Sequence, residues 1–261
     1  MQVHPLIDAL APAMFAAGEL IEAIRTGGFV VADKADASPV TIADEQAEVL
    51  LTAAIRAVDD APIVGEEAHA AGHRPDPCAR FWLIDPLDGT RDFIAGRAAY
   101  SVNIALVERG VPVLGLVLSP RDGVLWAGAA GQGVFRQPGA DGARVAITTQ
   151  PLRPLPVVVV SYSHIDPETT AWVAALGACA LQPAGSSLKF CRLAEGSADV
   201  YPRYGPTCEW DTAAGHAVLL AAGGAMRGID GAPFGYGKPE YKNGGFLAVG
   251  DAGAFGLLPS L

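Results

Sequence analysis

Apolar residues recur at helical spacing through residues 5–26, at Leu6, Leu10, Met14, Ala17, Ile21 and Ile24, and the run stops at Gly27-Gly28. This predicts an opening helix. A second helix, rich in Ala, Leu and Glu, is predicted over 41–58, after the polar, turn-prone stretch 33–39. From Phe81 the period changes. Phe81-Trp82-Leu83-Ile84 is an apolar run of strand length that meets Asp85-Pro86 abruptly. Residues 101–107 and 113–118 follow as strands on either side of Arg109-Gly110, and 124–126 and 133–136 as hairpin members with glycines at the turns. Pro151, Pro154 and Pro156 then cluster, the expected boundary between an N-terminal α+β part (1–150) and a C-terminal α/β part (151–261). The second part reads as a strand at 157–160, a helix at 166–176 with Pro167 in its first turn, a helix at 185–195, a strand at 199–201, and a helix at 210–222 ending at Gly223-Gly224. Interleaving of this kind predicts a layered α/β (α+β) fold.

Composition narrows the partners. With 51% of residues hydrophobic and 18% charged, the chain can bury a sizeable core, which excludes disorder. Lys and Arg number 18 against 28 Asp and Glu, a net charge of −10. That argues against nucleic acid or an anionic membrane surface as partner, and a small anionic ligand would need local cations or metal ions. Cys78, Cys179, Cys191 and Cys208 form no CxxC pair, so reduced thiols in a cytoplasm-like compartment are expected rather than a disulfide framework or structural zinc. No signal-peptide pattern is visible: Asp8 and Glu19 interrupt the apolar positions before the first basic residue, Arg25. The most apolar run, 213–226, contains His216 and three glycines and is shorter than the ~18 residues of a membrane span.

The densest chemical signal is Trp82-Leu83-Ile84-Asp85-Pro86-Leu87-Asp88-Gly89-Thr90-Arg91-Asp92-Phe93. An apolar strand delivers Asp85 to its end, Pro86 fixes a turn, and Asp88 returns three residues later. Two carboxylates this close repel unless a cation bridges them or one is protonated, and hard oxygen ligands suit Mg2+ or Mn2+. Gly89 and Thr90 would open the next element with free N–H groups suited to a phosphate. A bare D-x-x-D is also ordinary turn and cap chemistry. The whole string, with its strand, rigid turn, glycine and hydroxyl, matches one metal-and-phosphate arrangement.

Shorter strings accompany it. Gly65-Glu66-Glu67 follows the apolar Ile63-Val64 and alone reads as solvated acids. In Glu209-Trp210-Asp211-Thr212-Ala213-Ala214-Gly215, Asp211 is either a helix cap or a ligand, and the small residues after it permit close backbone approach. Thr41 and Asp44 fit a capping box. His69 and His73 stand four apart, but Gly72 breaks the helix that joint metal binding would need; His216 reads as a core histidine.

Together these strings resemble the inositol monophosphatase superfamily of metal-dependent, lithium-sensitive phosphatases. That superfamily carries a GEE acid pair, a W-x-x-D-P-x-D-G-T-x-x-F string and a W-D-x-A-A-G string in this order, and the similarity spans about residues 32–224. The stretches Gly185-Ser186-Ser187-Leu188-Lys189-Phe190-Cys191 and Tyr201-Pro202-Arg203-Tyr204-Gly205-Pro206-Thr207 are similar to its CysQ-type 3'(2'),5'-bisphosphate nucleotidases. The resemblance implies a layered αβαβα sandwich and two or three Mg2+ ions per site. Glu66, Asp85 and the Leu87 carbonyl would hold one ion, and Asp85, Asp88 and Asp211 a second. Asp44, Glu66 and Thr90 would be catalytic, with Asp44 and Thr90 orienting and deprotonating the attacking water. Substrate would meet Glu66, Leu87, Asp88, Gly89, Thr90 and Asp211 at the reacting phosphate, and Ser187 and Lys189 at the specificity side, with Arg203 and Tyr204 nearby. Lys189 and Arg203 are otherwise surface charges, and Tyr201 or Tyr204 either stacks on adenine or belongs to the core.

The implied activity is Mg2+-dependent removal of the 3'-phosphate of adenosine 3',5'-bisphosphate, giving AMP and clearing a by-product of sulfate assimilation. The implied protein is a cytoplasmic monomer or homodimer, or one peripheral on the inner face of the membrane, with no nucleic-acid partner. The alternatives are an inositol or sugar (fructose-1,6-bis) phosphatase and, in another class, a non-catalytic metal-binding or anion-sensing protein. The complete acid set and Thr90 weigh against the last.

Overall fold

In the computed structural model, which describes residues 2–33, 39–76, 78–161 and 165–259, the 3.6-residue period becomes α1 (Pro5–Gly27) and α2 (Ile42–Arg56). Ile7, Leu10, Met14, Ala17 and Ile21 form the buried stripe of α1, and Ala43, Ala47, Leu51 and Ile55 that of α2. Between them β1 (Val31–Asp33) pairs antiparallel with β2 (Pro39–Thr41). The turn-prone segment 34–38 that joins them lies outside the described residues.

Against this helical pair lies a seven-stranded sheet. Its strands are β3 (Ile63–Gly65), β4 (Arg80–Asp88), β5 (Ser101–Glu108), β6 (Val111–Ser119), β7 (Val124–Ala129), β8 (Val134–Pro138) and β9 (Val145–Ala146), in that spatial order. Only β3 and β4 run parallel; the other neighbours are antiparallel. Period-two alternation buries both faces. Val102, Ile104, Leu106, Leu116 and Leu118 pack with α1 and α2, while Ala105, Val107, Val117 and Trp126 join a cluster on the opposite face. Two five-residue helices, α3 (Glu66–Ala70) and α4 (Thr90–Ile94), follow β3 and β4 directly.

Past the proline cluster a second sheet begins. It contains β10 (Val157–Ser161), β11 (Ala180–Ala184), β12 (Val200–Arg203), β14 (Ala225–Gly228) and β16 (Phe246–Val249), ordered β11-β10-β12-β16-β14. A separate two-stranded ribbon pairs β13 (Thr207–Cys208) with β15 (Lys242–Asn243). Helices α6 (Leu188–Ala194) and α7 (Ala213–Ala221) are packed between the two sheets, and α5 (Pro167–Leu176) covers the outer face of the second through Trp172. The layers run α/β/α/β/α, as the sequence leads one to expect. Among the described residues no disulfide joins the four cysteines, and no helix is long and apolar enough to cross a membrane.

Two helix starts differ from expectation. The helix expected from Gly185 begins at Leu188: Ser186 takes φ +48°, and Gly185 lies where a Cβ would be 2.3 Å from the Ala99 carbonyl. The helix expected from Trp210 begins at Ala213, because the Asp211 carboxylate accepts the Cys208 N–H at 2.7 Å and closes a turn first. The middle layer is thin by design of its small residues. A Cβ on Gly115 of β6 would lie 2.2 Å from the Ala214 carbonyl of α7.

At the other end of β4, Arg80 anchors the strand. It donates to Asp59 Oδ1 (2.8 Å) beyond α2 and to Glu108 on β5 (2.9 Å). The guanidinium holds the Asp59 carboxyl down at about 2.

Gly115→Ala should push α7 off the sheet; overpacking of this kind costs about 1–3 kcal/mol, read as a lower urea midpoint at unchanged slope. For Asp59, the folded pKa lies below the ordinary value, so its contribution is complete above about pH 4 and is lost as pH falls through about 2. Asp59→Asn should therefore unfold more easily than the parent near neutrality, and the gap in unfolding free energy should close toward pH 2.

Candidate active site

β4 carries Asp85, 1% exposed, to the edge of the core. Pro86 has no N–H to give the ladder, so pairing with β5 slips between Asp85↔Asn103 and Asp88↔Ser101. The Leu87 N–H turns back to Asp85 Oδ1 at 3.1 Å. Gly89 then reverses the chain at φ +97°, with its missing Cβ only 2.8 Å from the Ala99 carbonyl, so no other residue fits there. Thr90 opens α4, where the first N–H groups have no helical acceptor.

Asp44 does two things at once. Its Oδ2 accepts the Thr41 N–H (2.8 Å) and hydroxyl (2.7 Å), completing the capping box of α2. Its Oδ1 lies 3.0 Å from the Thr90 hydroxyl, which is also 3.1 Å from the Leu87 carbonyl. One hydroxyl proton cannot serve both acceptors together. Burial raises the Asp44 pKa, the Thr41 and Thr90 hydrogen bonds oppose the rise, and the Glu66 charge adds to it. The capping carboxylate and the one that meets Thr90 are thus the same group, using different oxygens.

Glu66 is the first residue of α3, and its N-cap, Gly65, has no side chain to offer. Glu48 of α2, absent from the sequence reading, supplies the cap instead. Its two oxygens accept the N–H groups of Glu67 and Ala68, each at 2.8 Å.

Asp88 meets the C-terminal half. The Ser187 N–H donates to its Oδ2 at 2.7 Å, so this N–H is engaged rather than free for a phosphate. The Ser187 hydroxyl also points inward, 2.5 Å from Asn103 Oδ1 and 2.9 Å from the Ser101 hydroxyl. Ser187, expected at the substrate, is 1% exposed and reaches the site through Asp88. Its neighbour Ser186 lines the cavity instead, with a buried hydroxyl that has no protein partner among the described residues. Asp211 sits in the turn before α7. That turn is held by Glu209, fully buried, which accepts the N–H groups of Gly237 (2.8 Å) and Lys238 (2.9 Å).

The cavity these residues share has a volume of about 450 Å3. Its lining includes Glu66, Asp88, Thr90 and Asp211 together with Ser186, Lys189, Tyr201 and Arg203, and also Arg91 and Arg97 of the N-terminal part. Lys189 is not a surface charge. It is buried, donates to the Ser186 carbonyl at 2.6 Å and lies 5.2 Å over the Tyr201 ring. Burial pulls its pKa down to about 8 against the pull of Asp88. Tyr201 packs edge-on against Phe190 and Phe246, and Tyr204 packs behind, in the outer cluster.

Burial holds Asp85 well above the carboxylate range, and the charges of Glu66, Asp88 and Asp211 add to it. Burial lifts Asp88 to about 6, with Lys189 and the Ser187 N–H opposing. Asp211 is raised by burial and by Asp88 and Glu66. As they stand, no three His, Cys, Asp or Glu side chains among the described residues are set as a ready group of metal ligands; the repulsion that raises these pKa values also works against a tight cluster. The donor chemistry still fits a hard divalent cation: carboxylate side chains and neither thiol nor imidazole in the lining, with the Leu87 carbonyl 3.1 Å from the Thr90 hydroxyl that lines it. His69 ends in α3 and His73 lies beyond the positive-φ Gly72, so no helix face joins them. His216 is buried, with Nδ1 3.0 Å from the Tyr236 hydroxyl.

Residues 2–250 match the model of the inositol monophosphatase family. The chain is 40% identical over 245 residues to the 3'(2'),5'-bisphosphate nucleotidase CysQ of Escherichia coli O157:H7, covering 92% of this chain and 98% of that protein. It is 42% identical over 234 residues to the CysQ of Salmonella typhimurium, covering 88% and 94%. Among solved structures it is similar to CysQ from Bacteroides thetaiotaomicron, with a TM-score of 0.78 and 34% identity, covering 92% and 95% of the two chains. By matched span, identity and layered architecture alike, this chain belongs to the inositol monophosphatase family.

Proposed function

We propose that the protein is a Mg2+-dependent, lithium-sensitive phosphohydrolase that removes the 3'-phosphate of adenosine 3',5'-bisphosphate, serving sulfur metabolism. The observation that carries the reading is a single cavity of about 450 Å3 whose lining brings the acids Glu66, Asp88 and Asp211 together with the cations Lys189 and Arg203, with Arg91 and Arg97 also in the lining. A substrate with two phosphates needs a metal-ligating side for the reacting one and a cationic side for the other. The CysQ relatives at about 40% identity support the same activity.

Glu66, Asp85, Asp88, Asp211 and the Leu87 carbonyl would hold the metal ions. A bound divalent cation offsets the acids' charge, polarises the phosphate and makes a water acidic near neutral pH. The chain's own part is to place and deprotonate that water. Thr90 can donate to Asp44 Oδ1 while its oxygen accepts from the water, and the proton comes to rest at Asp44, whose burial-raised pKa suits a base. Gly89 and Thr90 N–H groups face the reacting phosphate. Lys189, Arg203 and the Ser186 hydroxyl take the 5'-phosphate, and Asp88, tied to Ser187, links the two sides. The division at residue 150 suits this arrangement, since the N-terminal part supplies most of the acids and the C-terminal part supplies Lys189 and Arg203.

A hydrogen bond to a charged group is worth roughly 1.5–3 kcal/mol. In Mg2+, kcat/KM for adenosine 3',5'-bisphosphate should therefore exceed that for inositol 1-phosphate by at least about tenfold, and chelation should abolish both. A preference for inositol phosphate would replace this reading with its sugar-phosphatase alternative. Asp88→Asn should abolish turnover yet leave thermal stability unchanged or raised, because it removes one of several clustered charges. Near-native activity of this variant in Mg2+ would sink the two-metal assignment.

A further inference from the structure

We propose that Glu48 is a positioning residue that aims Glu66 at the metal, by capping the short helix on which Glu66 stands. The inference rests on the reading of Glu66 as a metal ligand.

A five-residue helix has little stability of its own, so its direction depends on what satisfies its first N–H groups. In α3 those groups belong to Glu67 and Ala68, and each is taken by one oxygen of Glu48 at 2.8 Å. Glu48 is 7% exposed and stands 19 residues before Glu67 in the chain.

Gly65 gives an independent sign of the same fit. Its φ of −101° is one that any residue adopts, so backbone conformation does not require glycine there. What requires it is Glu48: a Cβ on Gly65 would fall 2.5 Å from the Glu48 carboxyl carbon. The glycine of the Gly-Glu-Glu string makes room for a carboxylate from another helix. Asp44 stands one turn earlier on α2 and reaches Thr90, so a single helix registers both the water-handling side and the ligand side of the site.

The test compares Glu48→Gln and the charge-conserving Glu48→Asp, whose shorter stem cannot reach both N–H groups, with Glu45→Gln as an exposed control on the same helix. Mn2+ affinity by titration calorimetry, the Mg2+ activation constant and kcat at saturating Mg2+ are measured, with thermal unfolding alongside. Outer-shell partners are worth about 10–100-fold in metal affinity. Both Glu48 variants should bind Mn2+ about tenfold or more weakly, with the Mg2+ activation constant rising in step and kcat at saturation near the parent's; Glu45→Gln should match the parent. Gly65→Ala, which presses on the carboxylate without removing it, should move the same way and carries the test should either Glu48 variant fail to fold. Glu48 variants that bind Mn2+ as tightly as Glu45→Gln, or that lose kcat with metal affinity intact, overturn the inference. Glu66→Gln separates the two levels. If it too binds Mn2+ like the parent, the ligand reading fails and takes the inference with it; if it loses binding while the Glu48 variants keep it, positioning alone is wrong.

Discussion

Asp85, Asp88 and Asp211 lie in surroundings that disfavour ionised carboxylates, and each sits in the field of the others and of Glu66. Left to themselves, such groups would separate or take up protons. The fold opposes that separation by delivering each acid on a separately anchored segment: Glu66 on a capped helix, Asp85 and Asp88 around a proline bulge, and Asp211 in a turn pinned by its own carboxylate. Electrostatic repulsion, held in check by backbone hydrogen bonds, is the constraint behind most local detail around the cavity.

Much of that detail is carried by residues with no part in the chemistry. Glu209 and Glu48 are buried acids whose oxygens are spent on N–H groups of neighbouring segments. A buried carboxylate that accepts two N–H bonds is a stiff clamp, since rotating away would strand both donors and its own charge. Glycines at 65, 89 and 115 do complementary work, letting a carboxylate, a carbonyl or a helix come closer than any side chain would permit.

The layered fold was legible because both faces of the large sheet are buried and alternate strictly, and because the flanking helices keep a clean stripe. The acidic strings were legible because their residues are contiguous and end an apolar strand. Elsewhere local reading ran out for physical reasons. Asp44 satisfies a capping box and faces Thr90 with different oxygens, so local pattern could only offer the two roles as rivals. Ser186 and Ser187 are adjacent and chemically identical; which one faces the cavity turns on a positive φ that serine rarely adopts. Lys189 could not be told from a solvated lysine until the second sheet and Tyr201 closed over it. Glu48 resembles any glutamate on an amphipathic helix, and only the distant Gly65 reveals its place.

The double duty of Asp44 reaches beyond the reaction itself. With Asp44 as the proposed base, and because one oxygen secures the first turn of α2 while the other meets Thr90, natural variation there could not trade speed for durability: a change that silenced turnover would also loosen the polypeptide. In a living cell, where loosened chains are cleared by proteases, lesions at this position would register as scarce protein as much as inactive protein, and the two causes would be hard to separate from growth alone.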